Sequence, residues 1–347
     1  MLEVNKKQAK FLEKAFAEWQ ADNLLSEEQV EKLQNNILLQ TFDWQKLAKY
    51  SFVLAILCIA GAILSFLSDN YLLELLFEII GSEWGAVFTS AFIAAGFIYW
   101  GGRQTRRTDK RKLSSEALLA VGGIFIGVAI AFFGNAISTG SGHFSLLLLL
   151  GAFIYAPLAV YYRSISLWLC LLFSSTVWFG SELGYWSDFS ETVLGLRYFT
   201  WYLIWGAALV GIAQLLEKQP RIEEFAPLTY AWGLLIIFSN LWLLSFNFLY
   251  WRDEHYWMSW AWTAVLTLAS FASLIWGIRK EDVALKAFGL GFFLLNLYTK
   301  YVQFFWEELH STIFFIILAL SFWLIGSRAE DIWSGRLWKS PDDLLDR

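Results

Sequence analysis

The sequence predicts an all-α protein: a polytopic transmembrane helical bundle of about ten spans with a short cytoplasmic N-terminal helical hairpin. Three observations predict it. Hydrophobic residues fill 57% of the chain, against 16% charged. Apolar runs near the roughly 20-residue bilayer-spanning length recur at 51–68, 86–102, 117–138, 143–162, 165–184, 198–216, 228–250, 257–277, 283–305 and 311–327. A transmembrane barrel would show short alternating strands instead. Third, the basic residues are one-sided when successive loops are assigned to alternate faces. The N-terminus, loop 103–116, Arg163, loop 217–227, Arg279, Lys280, Lys286 and the tail share one side. Only Arg197, Arg252 and Lys300, of 26 Lys and Arg, fall on the other. Such an excess marks the cytoplasmic face, so both termini are expected there.

Residues 1–45 form the expected hairpin. Phe11, Leu12, Ala15, Phe16 and Trp19 are spaced for one helical face over 5–20. After the break at "ADNLL", Ser26 and Gln29 match a capping box, and Leu25 and Val30 a hydrophobic staple. Val30, Leu33, Ile37 and Leu38 then fall on one face of a second helix. A hairpin of this size needs a surface to rest on: its own transmembrane body, the membrane, or a protein partner.

Residues 46–327 form the transmembrane domain. The first span follows about fifty polar residues, so it is not a cleavable signal. Cys58 and Cys170 lie inside spans and make no disulfide framework. Loop 103–112 carries Arg103, Arg106, Arg107, Lys110, Arg111 and Lys112, a topogenic signal that also suits anionic lipid headgroups. Span 117–138 places Gly123, Gly127, Ala131 and Asn135 four residues apart, a pattern that lets helices approach closely. The "GNAISTGSG" that ends it is compatible with a broken-helix substrate site.

Two stretches carry a family resemblance. A helix ending in "EW", a short break and "LLSEEQVEKL", then "ALLAVGGIFIGVAIAFFGNAISTGSGHFSLLLLLGAFIYAPLAVYYRSISL" (117–167), resemble the domain of unknown function 2157 family of predicted bacterial membrane proteins. The resemblance spans roughly residues 10–180. Within it, "GNAIS" departs from a Gln-Ile-Tyr-like stretch of that family. The resemblance implies a bacterial inner-membrane protein with a cytoplasmic N-terminal hairpin, and implies no activity.

Polar side chains inside spans are the places to look for function. In 283–305, Asn296, Lys300, Gln303 and Glu307 share a helical face. They are expected either to line an outward-facing polar crevice, with Glu182, Asp253 or Glu254 as partner of Lys300, or to let Lys300 snorkel to the headgroups. Asn240 and Asn247 repeat the theme, as interhelical hydrogen bonders or as members of the same cavity. His143, His255 and His310 fall on the outer side near acidic groups, and Glu307 and His310 have the Glu-x-x-His spacing of metal-binding helices. Trp100, Trp186, Trp201, Trp251, Trp257 and Trp306 sit near span ends, as an interfacial belt requires. The tail, 328–347, is expected to rest at the cytoplasmic interface.

The chain has no phosphate-binding glycine loop, nucleophile elbow or zincin helix. No cofactor or metal is expected, and one basic loop does not make a nucleic-acid-binding surface. Two readings stand. The first is a scaffold, accessory subunit or membrane-state sensor, in which the hairpin docks a partner or regulates the body. The alternative is a transporter or channel for a small solute or lipid, using a cavity around Asn296 and Lys300.

Overall fold

The computed structural model describes residues 82–106, 113–137, 143–187, 192–246, 257–306 and 310–334, with 2–5, 12, 15–16, 19–20, 29–30, 37–40 and 61. It divides into two compact units, Met1–Phe125 and Ile126–Arg347. The described residues are overwhelmingly helical. Seven of their helices are long and apolar enough to cross a membrane, which makes this a multi-pass membrane protein.

In the first unit, β1 (Leu2–Asn5) pairs in parallel with β2 (Ile37–Gln40), Leu2 opposite Ile37 and Val4 opposite Leu39. The second helix of the expected hairpin therefore does not include Ile37 and Leu38. A short apolar run fits a strand as well as a helix, and the partner strand decides the matter here. Parallel pairing needs a crossover of a dozen or more residues, commonly helical. Leu12, Ala15, Phe16, Trp19, Gln29 and Val30 are helical, and Phe16 and Val30 are buried. Ser26, Leu33, the 51–68 span apart from Gly61, and the tail beyond Ser334 lie outside the described residues. Helix α1 (Glu83–Arg106) starts where Ser82 Oγ accepts the Gly85 amide at 3.0 Å. It packs on the first part of α2 (Leu113–Ala136): Phe97 stacks on Phe125, with centroids 6.1 Å apart, and Gly122 lies against Ile98.

The second unit is built from consecutive helices: α3 (Ser145–Tyr162), α4 (Ile165–Trp186), α5 (Tyr198–Leu216), α6 (Ala226–Leu244), α7 (Trp257–Arg279), α8 (Val283–Phe305) and α9 (Ser311–Ser334). Helices α1 to α7 are the seven apolar ones. Helix α8 coincides with the expected 283–305 span, yet its polar face keeps it out of that set. The apolar stretch of α9 is Thr312–Trp323.

Two turns are built alike. Arg163 ends α3 in the left-handed region (φ 50°), Ser164 N donates to Ala159 O, and Ser164 Oγ caps α4 through the Leu167 amide. Glu281 ends α7 in the same region (φ 55°), Asp282 N donates to Gly277 O, and Asp282 Oδ1 caps α8 through the Leu285 amide. Each is a helix stop and a helix start in two residues. Between α4 and α5, β3 (Thr192–Val193) and β4 (Leu196–Arg197) form a minimal antiparallel hairpin. Its turn needs positive φ at Leu194 (49°) and Gly195 (79°), and glycine takes the second position.

Close helix approach is set by four glycines. A Cβ on Gly206 of α5 would stand 3.0 Å from the Gly233 carbonyl of α6, and one on Gly233 would stand 2.9 Å from that of Gly206. A Cβ on Gly277 would meet the Lys286 amide nitrogen at 2.7 Å, and one on Gly289 the Leu274 nitrogen and Ser270 carbonyl at 2.7 Å. Backbones this near leave room for nothing larger.

Indole–threonine bonds tie α4 to α5 and α6, and α6 to α8. Trp168 Nε1 donates to Thr229 Oγ1 at 2.8 Å. Trp205 Nε1 and Trp232 Nε1 both donate to Thr176 Oγ1, at 3.3 and 3.0 Å. Trp242 Nε1 donates to Thr299 Oγ1 at 2.9 Å. Each threonine gives its own proton to the carbonyl four residues earlier, at 2.7 to 2.9 Å. Around them Leu234, Phe238, Leu241 and Leu266 form a buried apolar cluster. Large apolar side chains also point outward: Phe92 is 80% exposed and Leu268 71%. A protein surrounded by lipid has no reason to hide them.

Two outcomes follow for stability measured by denaturant titration in detergent. Gly289→Ala lowers it by about 1–3 kcal/mol through overpacking, whereas Gly291→Ala, with nothing within 4 Å of its Cβ, does not lower it and raises it by up to about 1 kcal/mol through helix propensity. Thr176→Val keeps the side-chain shape but strips two indoles of their acceptor. It lowers stability by about 1–2 kcal/mol, more than Thr312→Val, an exposed position.

Candidate functional site

The polar face of α8 meets α7 and the C-terminal end of α6. Asn296 is 4% exposed, and its Nδ2 donates to Thr267 Oγ1 at 2.9 Å and to Thr263 O at 3.5 Å. Thr267 returns its own proton to Thr263 O, and Thr263 to Ser259 O, so this edge of α7 is a ladder of oriented hydroxyls. The Oδ1 of Asn296 is buried and has no hydrogen-bond partner among the described residues. One turn on, Lys300 Nζ donates to Ser245 O at 2.6 Å and to Gln303 Oε1 at 3.0 Å, and it lies 5.9 Å from the centroid of the Trp260 ring. Ser245 is the C-cap of α6. A helix C-terminus carries unsatisfied carbonyls and the negative end of the macrodipole, so an ammonium there is favourably placed.

The structure thus brings Asn296, Lys300 and Gln303 together and adds Ser245, Trp260, Thr263, Thr267 and Thr299 to them. Lys300 Nζ is turned onto the C-terminal end of α6. Glu307, Asn247, Asp253 and Glu254 lie outside the described residues. Asn240 belongs elsewhere: its Nδ2 donates to Ile236 O of its own helix at 2.7 Å. The expected interhelical bond is replaced by a local one, because an amide side chain can reach the carbonyl four residues back without leaving its helix.

Glu182 pairs with groups other than Lys300. It accepts from Ser145 Oγ at 2.5 Å and from Trp186 Nε1 at 3.0 Å, with His143 Nε2 at 3.4 Å. Tyr185 closes this cluster, its ring 4.2 Å from that of His143 and its hydroxyl oxygen accepting the Phe144 amide at 3.1 Å. The carboxylate therefore staples the start of α3 to the end of α4. His310 Nδ1 accepts the Thr312 amide at 3.4 Å, and His255 is outside the described residues. Among the described residues no group of three His, Cys, Asp or Glu could hold a metal.

The small-residue stripe of α2 turns as it climbs. Gly123 is buried, a Cβ on Gly127 would face the Tyr155 hydroxyl at 3.3 Å, and Ala131 and Asn135 are exposed. A strict period of four drifts about 40° per step around an α-helix. The stripe's last members have consequently left the packed face, and Gly134, against Leu147, replaces them there. Of the basic loop, Arg103 is exposed and lines a groove with Gly96, Tyr99, Trp100 and Gln104. Arg106 ends α1, and Arg107, Lys110, Arg111 and Lys112 fall outside the described residues. Trp100, Trp186, Trp257 and Trp306 are exposed at helix ends, whereas Trp168, Trp205, Trp232 and Trp242 serve as internal donors.

No protein-family model, curated protein or solved structure matches the chain.

Double-mutant cycles separate the two polar clusters. Glu182→Gln combined with Ser145→Ala gives a coupling of order 1 kcal/mol, while Glu182→Gln with Lys300→Met is additive to within about 0.5 kcal/mol. Both are read from unfolding midpoints of the single and double variants.

Proposed function

We propose that this chain is a non-enzymatic multi-pass membrane protein, a scaffold, accessory subunit or membrane-state sensor, in which residues 1–45 dock a protein partner or regulate the transmembrane body. The reading places about ten spans in a bacterial inner membrane with both termini in the cytoplasm, as the one-sided Lys and Arg residues suggest. It accords with the resemblance of residues 10–180 to the domain of unknown function 2157 family. It assigns the chain no cofactor and no nucleic-acid partner.

The state of Lys300 supports it. An ammonium that serves a translocated solute must exchange partners, but this one is engaged by the α6 terminus and by Gln303 on its own helix. Its bonds fix helix positions, which is a platform's requirement. So small an N-terminal element buries too little to stand alone and needs another surface to rest on.

One observation favours the alternative, a transporter or channel for a small solute or lipid working through Asn296 and Lys300. The Asn296 carbonyl oxygen is a buried acceptor with its bond unmade, and such groups mark sites where a polar ligand gains most.

Side-by-side purification in native lipid decides between them. On the platform reading, a protein retained by the full-length chain is lost on deletion of residues 1–43 and kept by Lys300→Met. If Lys300→Met instead abolishes uptake of a solute into reconstituted vesicles, and the deletion leaves that uptake unchanged, the transport reading replaces it.

A further inference from the structure

Two helices carry the same surface. On α7, Ala272, Ile275, Trp276, Arg279 and Lys280 line a groove of about 420 Å³. On α1, Gly96, Tyr99, Trp100, Arg103 and Gln104 line one of about 670 Å³. The spacing is identical in both: a small residue, then positions three, four, seven and eight further on, all on one helical face. Tryptophan holds the fourth position in each, arginine the seventh, and a long hydrogen-bond donor the eighth. A glycine follows each tryptophan and faces the next helix. A Cβ on Gly101 would stand 3.0 Å from Leu119 Cγ, and one on Gly277 would stand 2.7 Å from the Lys286 amide nitrogen. That glycine turns the packed side of the helix inward and leaves the Trp–Arg side outward: Trp100 is 71% exposed and Trp276 58%.

We propose that each groove binds one anionic phospholipid of the cytoplasmic leaflet, its phosphate on Arg279 or Arg103 and an acyl chain along the apolar wall below. The guanidinium fork matches phosphate geometry. Lys280 supplies a further donor beside Arg279, and Gln104, whose Nε2 donates one proton to Ser114 Oγ at 3.3 Å, has its second amide proton for the same use beside Arg103. The indole sits at the glycerol level, where Trp is favoured; Lys280 Nζ already lies 5.2 Å over the Trp276 ring, which holds the charge at that height. Below the small residue, the same face continues into exposed apolar side chains, Leu268 on α7 and Phe92 and Phe88 on α1. A water-soluble anion would have no use for that wall, so the surface is complementary to a lipid with charge at one end and hydrocarbon at the other.

The assignment to the cytoplasmic leaflet rests on the proposed orientation, but binding in detergent does not, so the two can fail separately. The test is native mass spectrometry of the delipidated full-length chain titrated with phosphatidylglycerol or phosphatidylcholine. Two phosphatidylglycerol molecules bind, roughly tenfold tighter than phosphatidylcholine. Arg279→Gln and Trp276→Leu each remove one of them, Arg103→Gln removes the other, and Arg103→Gln with Arg279→Gln removes both. The pair Lys218→Gln and Arg221→Gln, basic but without a Trp groove, leaves both bound. Equal binding of the two lipids, retention of both by the double arginine variant, or the same loss in the Lys218/Arg221 control overturns the proposal.

Discussion

An apolar phase offers no spare acceptor, so a buried indole N–H gains most from an oxygen within the protein. Four indoles of the second unit reach a threonine, whereas that of Trp178 has no partner among the described residues. That constraint organises the second unit. A threonine inside a helix satisfies its own proton on the carbonyl four residues back and presents its remaining lone pairs sideways. A tryptophan on another helix is long enough to reach them. Thr176 gathers Trp205 and Trp232, Thr229 takes Trp168, and Thr299 takes Trp242. Every one of these three threonines involves α6 as donor or as acceptor.

Helix α6 is a hub for this reason. Its Gly233 fixes the distance to α5, its Tyr230 hydroxyl donates to Asp282 in the turn between α7 and α8, and its C-cap carbonyl receives Lys300. Phe225, fully buried just before it, stacks on Trp168 at 4.3 Å. Hydrophobic transfer does little to hold helices together in lipid, where both sides of the contact are equally apolar. Close backbone approach and directional bonds take over. The glycines set the separation, and that separation decides whether an indole spans the gap. Packing and polar satisfaction are one problem here.

The helices were legible in the sequence because bilayer thickness imposes their length. The runs at 198–216 and 283–305 match α5 and α8 end to end. Side-chain roles were less legible, because a residue type inside a span does not disclose its facing partner. Tryptophan reads naturally as an interfacial residue, and Trp100 and Trp186 are exposed towards the ends of their helices. Trp205 and Trp232 lie mid-helix, the one signal that pointed to internal donors. Asn240 shows the converse: a polar residue in a span suggests a neighbour, but its own backbone was nearer. The four-residue stripe of α2 was legible at Gly123, which is buried, and at Gly127, which faces Tyr155, but Ala131 and Asn135 drift off that face because four is not 3.6. Ile37 and Leu38 went to a strand because their partner, Leu2–Asn5, is remote in sequence.

The face of α8 shows how structural and chemical uses can divide one polar stripe. At Lys300 the terminus of α6 supplies carbonyl density where an isolated ammonium would be strongly disfavoured. The Lys300 amine and the carbonyl at the helix end satisfy each other. Asn296, one turn away, differs. Its amide protons are directed onto the hydroxyl ladder of α7, which fixes the orientation of the group and aims its carbonyl oxygen away from that ladder. A buried acceptor held so firmly cannot relieve itself by rotating, since rotation would break the bonds that its nitrogen makes. The hydrogen bonds that stabilise the face therefore keep the Asn296 carbonyl oxygen, among the described residues, without a partner of its own.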